Sequence, residues 1–157
     1  MSSGRFRCAG ACVEGLVYVV GGCRAGRCVA SAECYDPLTG RWRGEPDMSV
    51  ARADCAAACV DGLLYVVGGA DENYAALASA ECYDPSTGEW RALPDMSVER
   101  YECAAACVDG LLYVIGGSDA RHRPVASAEC YDPATKQWRG LPDMSVARAY
   151  FVAVALP

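Results

Sequence analysis

The residues able to do chemistry in this chain are eleven cysteines, a single histidine, and carboxylates and arginines spread along its 157 residues. Cys8 and Cys12, Cys55 and Cys59, and Cys103 and Cys107 share a C-x-x-x-C spacing that raises the question of zinc. Two residues four apart on an extended strand stand roughly 13 Å apart, whereas sulfurs on one tetrahedral zinc lie about 4 Å apart. One strand therefore cannot supply both ligands. His122 is the only histidine, so one chain cannot build a two-histidine metal site, and no Ser-His-Asp set or Gly-rich phosphate loop can be assembled. Asp54 and Glu102 are carboxylates suited to acid/base work if brought together, which spacing alone does not do. Cys23 and Cys28, unrepeated and within one loop, are open to a redox role. No metal or cofactor is expected.

What positions these residues is a repeat. A Cys/Ala-rich segment, an apolar run and a Gly-Gly doublet recur at 8–22, 55–69 and 103–117; Trp42, Trp90 and Trp138 are spaced by 48 residues, as are Tyr35, Tyr83 and Tyr131. The second copy divides into four extended segments. Strand a spans 55–60, Asp61-Gly62 forms a two-residue reversal, and strand b spans 63–68. A variable loop reaches Ala78, strand c spans 79–83, Asp84 to Gly88 turns the chain, and strand d spans 89–93. A four-stranded unit at this period cannot cover both its faces, so the copies must pack face to face around an axis. Strand a, made of Ala and Cys, suits the crowded centre. Strand b, apolar on both faces, suits a place between two neighbours.

These residues resemble the kelch repeat: the Gly68-Gly69 doublet, Tyr83 and Trp90, with Ser79-Ala80-Glu81-Cys82-Tyr83-Asp84-Pro85 and Pro94-Asp95-Met96-Ser97-Val98 most similar to the propeller of the kelch-like family, whose members also carry BTB and BACK domains. The expected fold is all-β: kelch-type β-propeller blades of four antiparallel strands, three blades plus one extra strand. The blades span 8–50, 51–98 and 99–146 of one kelch-repeat region. Residues 147–157 then hold the first strand of a fourth blade, read at Phe151 to Leu156, 48 residues after Cys103. The resemblance implies a protein-binding scaffold, like the substrate-recognition propeller of cullin-RING ubiquitin ligase adaptors or an actin-associated protein. The competing class is a propeller enzyme of the sugar isomerase or oxidase kind. The ligase-docking BTB and BACK segments are missing, so adaptor activity does not carry over. Kelch-like propellers generally have six blades, so this chain reads as a fragment or truncated product, with a six-bladed homodimer as the lesser expectation, because two segments would compete for one innermost position at each junction.

Internal repetition separates scaffold from site: what recurs holds the fold, and what varies can read a partner. Nine of the eleven cysteines recur and are expected as small buried apolar residues. Arg52, Arg100 and Arg148 recur at the end of each d-to-a connection and are first structural; the resemblance implies a second role for them, binding acidic peptides at the propeller entrance. Asp54, Tyr101, Glu102 and Tyr150 vary beside them, and the two acids would oppose an acidic ligand. The b-to-c loops differ most and are expected on the same face, offering Asn73, Tyr74, Asp119, Arg121, His122 and Arg123. A protein or peptide ligand is expected there.

Composition sets the outer bounds. With 53% hydrophobic and 22% charged residues the chain can build a packed core, and a net charge of −6 with a single lysine, Lys136, argues against a nucleic-acid partner. No stretch has signal-peptide or membrane-span character, so a cytoplasmic location without membrane contact is expected.

Overall fold

The computed structural model describes residues 4–155, and every regular element in it is a β-strand. Blade 1 is the sheet β1 (Ala9–Val13), β2 (Leu16–Val20), β5 (Ala32–Asp36) and β6 (Arg41–Glu45), with a small hairpin of β3 (Cys23–Arg24) and β4 (Arg27–Cys28) inserted after β2. Blade 2 is β7 (Ala56–Val60), β8 (Leu63–Val67), β9 (Ala80–Asp84) and β10 (Glu89–Leu93). Blade 3 is β11 (Ala104–Val108), β12 (Leu111–Ile115), β13 (Ala128–Asp132) and β14 (Gln137–Leu141). All neighbours pair antiparallel in chain order. Among the described residues no helix is long and apolar enough to cross a membrane.

The turns follow from residue chemistry. Asp61 and Gly62 both have positive φ, 49° and 77°, the mirror-image turn whose twist matches the strands it joins, and Glu14-Gly15 and Asp109-Gly110 repeat it. Asp84 closes the next reversal: its carboxylate accepts the Ser86 N–H at 2.9 Å and the Ser86 hydroxyl at 2.6 Å, and its carbonyl accepts the Gly88 N–H at 2.9 Å. The Gly-Gly doublet is required by close approach. A Cβ on Gly68 would strike the Arg100 carbonyl, and one on Gly69 would lie 2.7 Å from the Ala53 carbonyl oxygen.

Period-2 alternation then sends each strand's side chains to two neighbours. Leu64 and Val66 pack with Val13, Tyr18, Val20 and Met48 of blade 1, while Tyr65 and Val67 pack with Leu112, Val114 and Tyr131 of blade 3. The β7 strand, all Ala and Cys up to Val60, lies between β1 and β11 at the centre. Leu64 and Leu112 are fully buried, worth about 1.5–3 kcal/mol each. Two contacts recur at both junctions: a tyrosine pair, Tyr18–Tyr83 at 6.0 Å and Tyr65–Tyr131 at 6.3 Å, and an indole N–H donated to the preceding blade, from Trp90 to Pro46 O and from Trp138 to Pro94 O, each 2.8 Å.

Two expectations need correction. Phe151–Ala155 does not form a paired strand, because no following strand is present among the described residues to pair with it; Leu156 lies outside them. The segment instead lines a cavity with Cys8, Cys55 and Cys103 at the blade centre. Of the nine recurring cysteines, Cys8 and Cys12 are exposed and Cys59 and Cys107 half-buried rather than buried. Cys12 shares the face that Cys59 turns towards blade 1, and in blade 1 no described blade covers that face. The insertion of β3 and β4 was not expected; its turn, Ala25-Gly26, has positive φ at both residues but a weak sequence signal.

Candidate functional site

Each inner strand is entered through a residue with positive φ, Arg7 (59°), Asp54 (52°) and Glu102 (56°), and Tyr150 (57°) holds the equivalent position before the unpaired segment 151–155. Non-glycine residues seldom adopt this conformation. Here backbone hydrogen bonds running from one blade to the next fix it: the Asp54 N–H donates to Arg7 O at 2.8 Å, Glu102 to Asp54 O at 2.8 Å, and Tyr150 to Glu102 O at 3.2 Å. Four equivalent positions thus form an arc on one face, and they hold four different side chains. The start of each b-to-c loop is tied to the same lead-in by the bridges Phe6–Cys23, Ala53–Ala70 and Tyr101–Ser118, so the two loop sets do share a face.

A cavity of about 350 Å³ opens there, lined by Arg7, Asp54, Ala70, Tyr74, Tyr101, Glu102, His122 and Tyr150. Tyr74 and His122 occupy equivalent loop positions, both with positive φ, 60° and 58°. Aspartate side chains build these loops: Asp71 accepts the N–H groups of Asn73 and Ala75, and Asp119 those of Arg121 and Arg123. The Tyr101 hydroxyl and His122 Nδ1 lie 2.6 Å apart. Glu102 is buried and accepts the Ser118 hydroxyl at 2.9 Å. Asp54 meets Arg7 at 3.3 Å; burial and nearby Glu102 hold its carboxyl above the usual range, against the opposing pull of Arg7. Tyr150, three-quarters exposed, has its hydroxyl pushed up by its hydrogen bond to Glu102.

The cavity therefore gathers six residues singled out from sequence: Asp54, Tyr74, Tyr101, Glu102, His122 and Tyr150. Asn73, Asp119, Arg121 and Arg123 stand outside its lining. Asp119 is held down to about 2 by its bonds to Arg123 and organises the loop. Beginning the first copy at Cys8 leaves Arg7 outside it, whereas alignment of Arg5-Phe6-Arg7 with Arg52-Ala53-Asp54 places Arg7 at the position of Asp54.

The recurring arginines are not at the mouth. Arg52 is fully buried and donates to Gly68 O (2.8 Å), Ser79 O (2.9 Å), Ser79 Oγ (3.2 Å) and Glu81 Oε1 (2.9 Å). Arg100 makes the same four bonds to Gly116, Ser127 and Glu129. Glu81 in turn accepts the N–H groups of Ser49 and Val50 from the blade before. These guanidinium groups join blades and offer nothing to an acidic ligand. Arg148 is exposed and lies outside the cavity lining. Among the described residues no three His, Cys, Asp or Glu side chains stand together as a metal would need.

The family model for the Kelch motif matches residues 4–49, 51–97 and 99–145, so the first match takes in Arg5 and Arg7. Comparison with curated proteins gives no match. Among solved structures, one described as "Structure of YjhT" superposes with a TM-score of 0.80 at 17% sequence identity, covering 94% of this chain and 55% of that one. The chain spans about half the length of that protein, and the likeness establishes a shared fold.

Proposed function

The chain belongs to the Kelch motif family, and from that premise we propose that it is a protein-interaction module whose mouth receives a basic side chain of a peptide or protein partner. The observation that carries this reading is the make-up of the cavity: the carboxylates of Asp54 and Glu102 stand among the rings of Tyr74, Tyr101 and Tyr150, with Arg7 as the one guanidinium. A lysine or arginine over a tyrosine face gains about 0.5–2 kcal/mol, and a hydrogen bond to a charged group adds about 1.5–3 kcal/mol. Tyr74 and Tyr150 are mostly exposed, so their rings are free to close on a ligand. The acidic-peptide mode implied by kelch-like propellers is set aside, because Arg52 and Arg100 are buried in ion pairs with Glu81 and Glu129, and Arg148, although exposed, lies outside the cavity lining. By the resemblance, such a module would supply the recognition surface of a scaffold, as the propellers of kelch-like adaptors or actin-associated proteins do, without the ligase docking that does not carry over.

The test is a fluorescence-anisotropy titration with peptides identical except for one central residue, Lys, Arg, Gln or Glu. The Lys and Arg peptides are expected to bind at least tenfold tighter than the Gln peptide, and Glu102→Gln to abolish the difference. Equal binding of the Lys and Glu peptides would refute the proposal. One observation favours a second reading, a propeller enzyme: Asp54, with its carboxyl held up beside Glu102, resembles an acid/base pair. Turnover of a sugar anomer, lost in Asp54→Asn, would be its mark.

A further inference from the structure

At the root of each b-to-c loop, every blade sets two residues side by side across a bridge: Cys23 and Cys28 in blade 1, Ala70 and Ala76 in blade 2, Ser118 and Pro124 in blade 3. Blades 2 and 3 brace the loop between them with an aspartate, Asp71 or Asp119, whose carboxylate accepts two loop N–H groups. Blade 1 has Arg24-Ala25-Gly26-Arg27 there and no carboxylate. It has instead two thiols at the root of the loop, with sulfurs 3.8 Å apart. The Cys23 N–H donates to Phe6 O at 2.8 Å and its carbonyl accepts the Phe6 N–H at 3.2 Å, so Cys23 and Cys28 are a non-hydrogen-bonded pair. In such a pair the Cα atoms stand about 4.5 Å apart, inside the span of about 4.4–6.8 Å that a disulfide bridges.

We propose that Cys23 and Cys28 form a redox site, oxidised reversibly to a disulfide by a small-molecule disulfide such as that of glutathione, and that the change reaches the loop carrying Tyr74. The pair sits where blade 1 meets blade 2. Cys28 Sγ lies 3.4 Å from the Asp71 carbonyl oxygen, and that oxygen also accepts the Tyr74 N–H at 3.0 Å. Ala70, whose carbonyl is 3.8 Å from the same sulfur, lines the mouth together with Tyr74. On the other side, Cys23 pairs with Phe6, which precedes Arg7 of the mouth. Bond formation draws the sulfurs from 3.8 Å to about 2 Å and removes the S–H that Cys28 directs at Asp71. The Asp71 carbonyl then keeps Tyr74 as its donor, and the blade 2 loop loses a contact to blade 1. The site does not depend on what the mouth binds.

Cys23 is buried and Cys28 half-buried, so Cys28 is the thiol that solvent reaches. Its thiolate attacks one sulfur of glutathione disulfide, forming a mixed disulfide and releasing one glutathione, which takes up the proton that Cys28 gave away. Cys23 then loses its own proton and displaces the second glutathione from Cys28. The two cysteines give up two electrons and two protons, and one glutathione disulfide becomes two thiols. Burial, and after it the hydrogen bond with Cys23, push the Cys28 thiol up to about 11, so exchange is slow at neutral pH and equilibration takes hours.

The test equilibrates the full reduced chain in glutathione buffers of rising disulfide content, quenches by alkylation and maps the cysteines by mass spectrometry. The first disulfide to form should join Cys23 to Cys28, leave the chain lighter by two hydrogens, and disappear when reduced glutathione is restored. Backbone amide shifts of the isotope-labelled chain should move at Asp71 and Tyr74 as well as at the two cysteines, while Asp119 and Arg121 in the equivalent loop of blade 3 stay in place. Cys28→Ala puts in blade 1 the residue that blade 2 holds at this position, so it keeps the fold; it should abolish the cross-link and the response of Tyr74 to oxidant. Absence of a Cys23–Cys28 link at every buffer ratio, a lasting glutathione adduct on Cys28, or earlier pairing of other cysteines would overturn the proposal. So would a link that leaves Asp71 and Tyr74 unmoved, or a Tyr74 response that survives in Cys28→Ala. The mapping and the shifts on the unaltered chain decide the matter even if that variant fails to fold.

Discussion

Arg100 is the sharpest place to perturb the scaffold, because its side chain is fully buried and makes four hydrogen bonds to blade 3 while its backbone is bonded to Leu77 and Gly69 of blade 2. Arg100→Met keeps much of the aliphatic stem and removes the guanidinium. Two backbone carbonyls lose a donor, and Glu129 keeps only its bond from the Ser97 N–H at 2.8 Å. A buried ion pair broken from one side costs about 3–5 kcal/mol, mostly because the surviving charge is left desolvated. For a chain of this size, where 1 kcal/mol shifts Tm by about 2–4 °C, the midpoint should fall by roughly 10 °C. Two companion variants isolate the cause. Arg100→Met with Glu129→Gln should recover about 1–2 kcal/mol, since the stranded charge is gone while the amide oxygen still accepts from Ser97. Arg123→Ala, which breaks an exposed pair with Asp119 at 2.8 Å, should cost less than about 1 kcal/mol. The assay is urea unfolding followed by tryptophan fluorescence and circular dichroism at one protein concentration. A loss below about 1 kcal/mol for Arg100→Met, or no recovery in the double variant, would refute the view that this arginine holds the blades together.

Binding of a basic peptide should weaken on acidification, and earlier than for an ordinary aspartate: the Asp54 carboxyl is held above its usual value, so it takes up a proton, and loses its attraction for a cation, at a pH above the normal aspartate range. Anisotropy against pH measures this, and Asp54→Asn should flatten that part of the curve. Stability carries the opposite linkage at Asp36, Asp84 and Asp132, whose turn hydrogen bonds hold them below the ordinary value. Their contribution is complete above about pH 4 and is lost as pH falls through the lowered values, visible as acid destabilisation that Asp84→Asn reduces. Gly68→Ala should cost more than about 2 kcal/mol, because a Cβ meets the Arg100 carbonyl in a left-handed backbone, whereas Gly44→Ala, with open space around it, should be near neutral by thermal melt. Cys23 and Cys28 face each other across a hairpin with sulfurs 3.8 Å apart, and Cys23 exchanges both its backbone bonds with Phe6 on the other side. They thus form a non-hydrogen-bonded pair, the closer kind. Oxidation by a peroxide, which takes two hydrogens from the thiols and leaves water, should cross-link this pair first, read by peptide mapping.

The scaffold was legible because its determinants are local and repeated. Asp61-Gly62 allows one kind of turn, and alternating Leu64, Tyr65 and Val66 must face two neighbours, so strands and sheet order follow from pattern. The mouth was partly legible: variation between copies picked out Asp54, Glu102 and Tyr150 because backbone hydrogen bonds fix those positions while leaving the side chains free to differ. The first, structural role read for Arg52 and Arg100 holds; what failed was their second role at the entrance, since position near it says nothing of side-chain direction, and a long side chain can turn inward to bond a buried glutamate. Position Arg7 was lost to a repeat boundary drawn four residues late. The segment 151–155 shows the limit of local reading, for its apolar pattern suits an inner strand, yet strand pairing requires a partner.

The measurement that bears most directly on the binding account is backbone amide chemical-shift mapping of the isotope-labelled chain as a lysine-bearing peptide is added. The account predicts saturable shifts concentrated at Arg7, Asp54, Tyr74, Tyr101, Glu102, His122 and Tyr150, lost in Glu102→Gln. Shifts centred on the opposite face, at the turns around Asp61, Asp109 or Gly15, or none at all with any basic peptide, would contradict it.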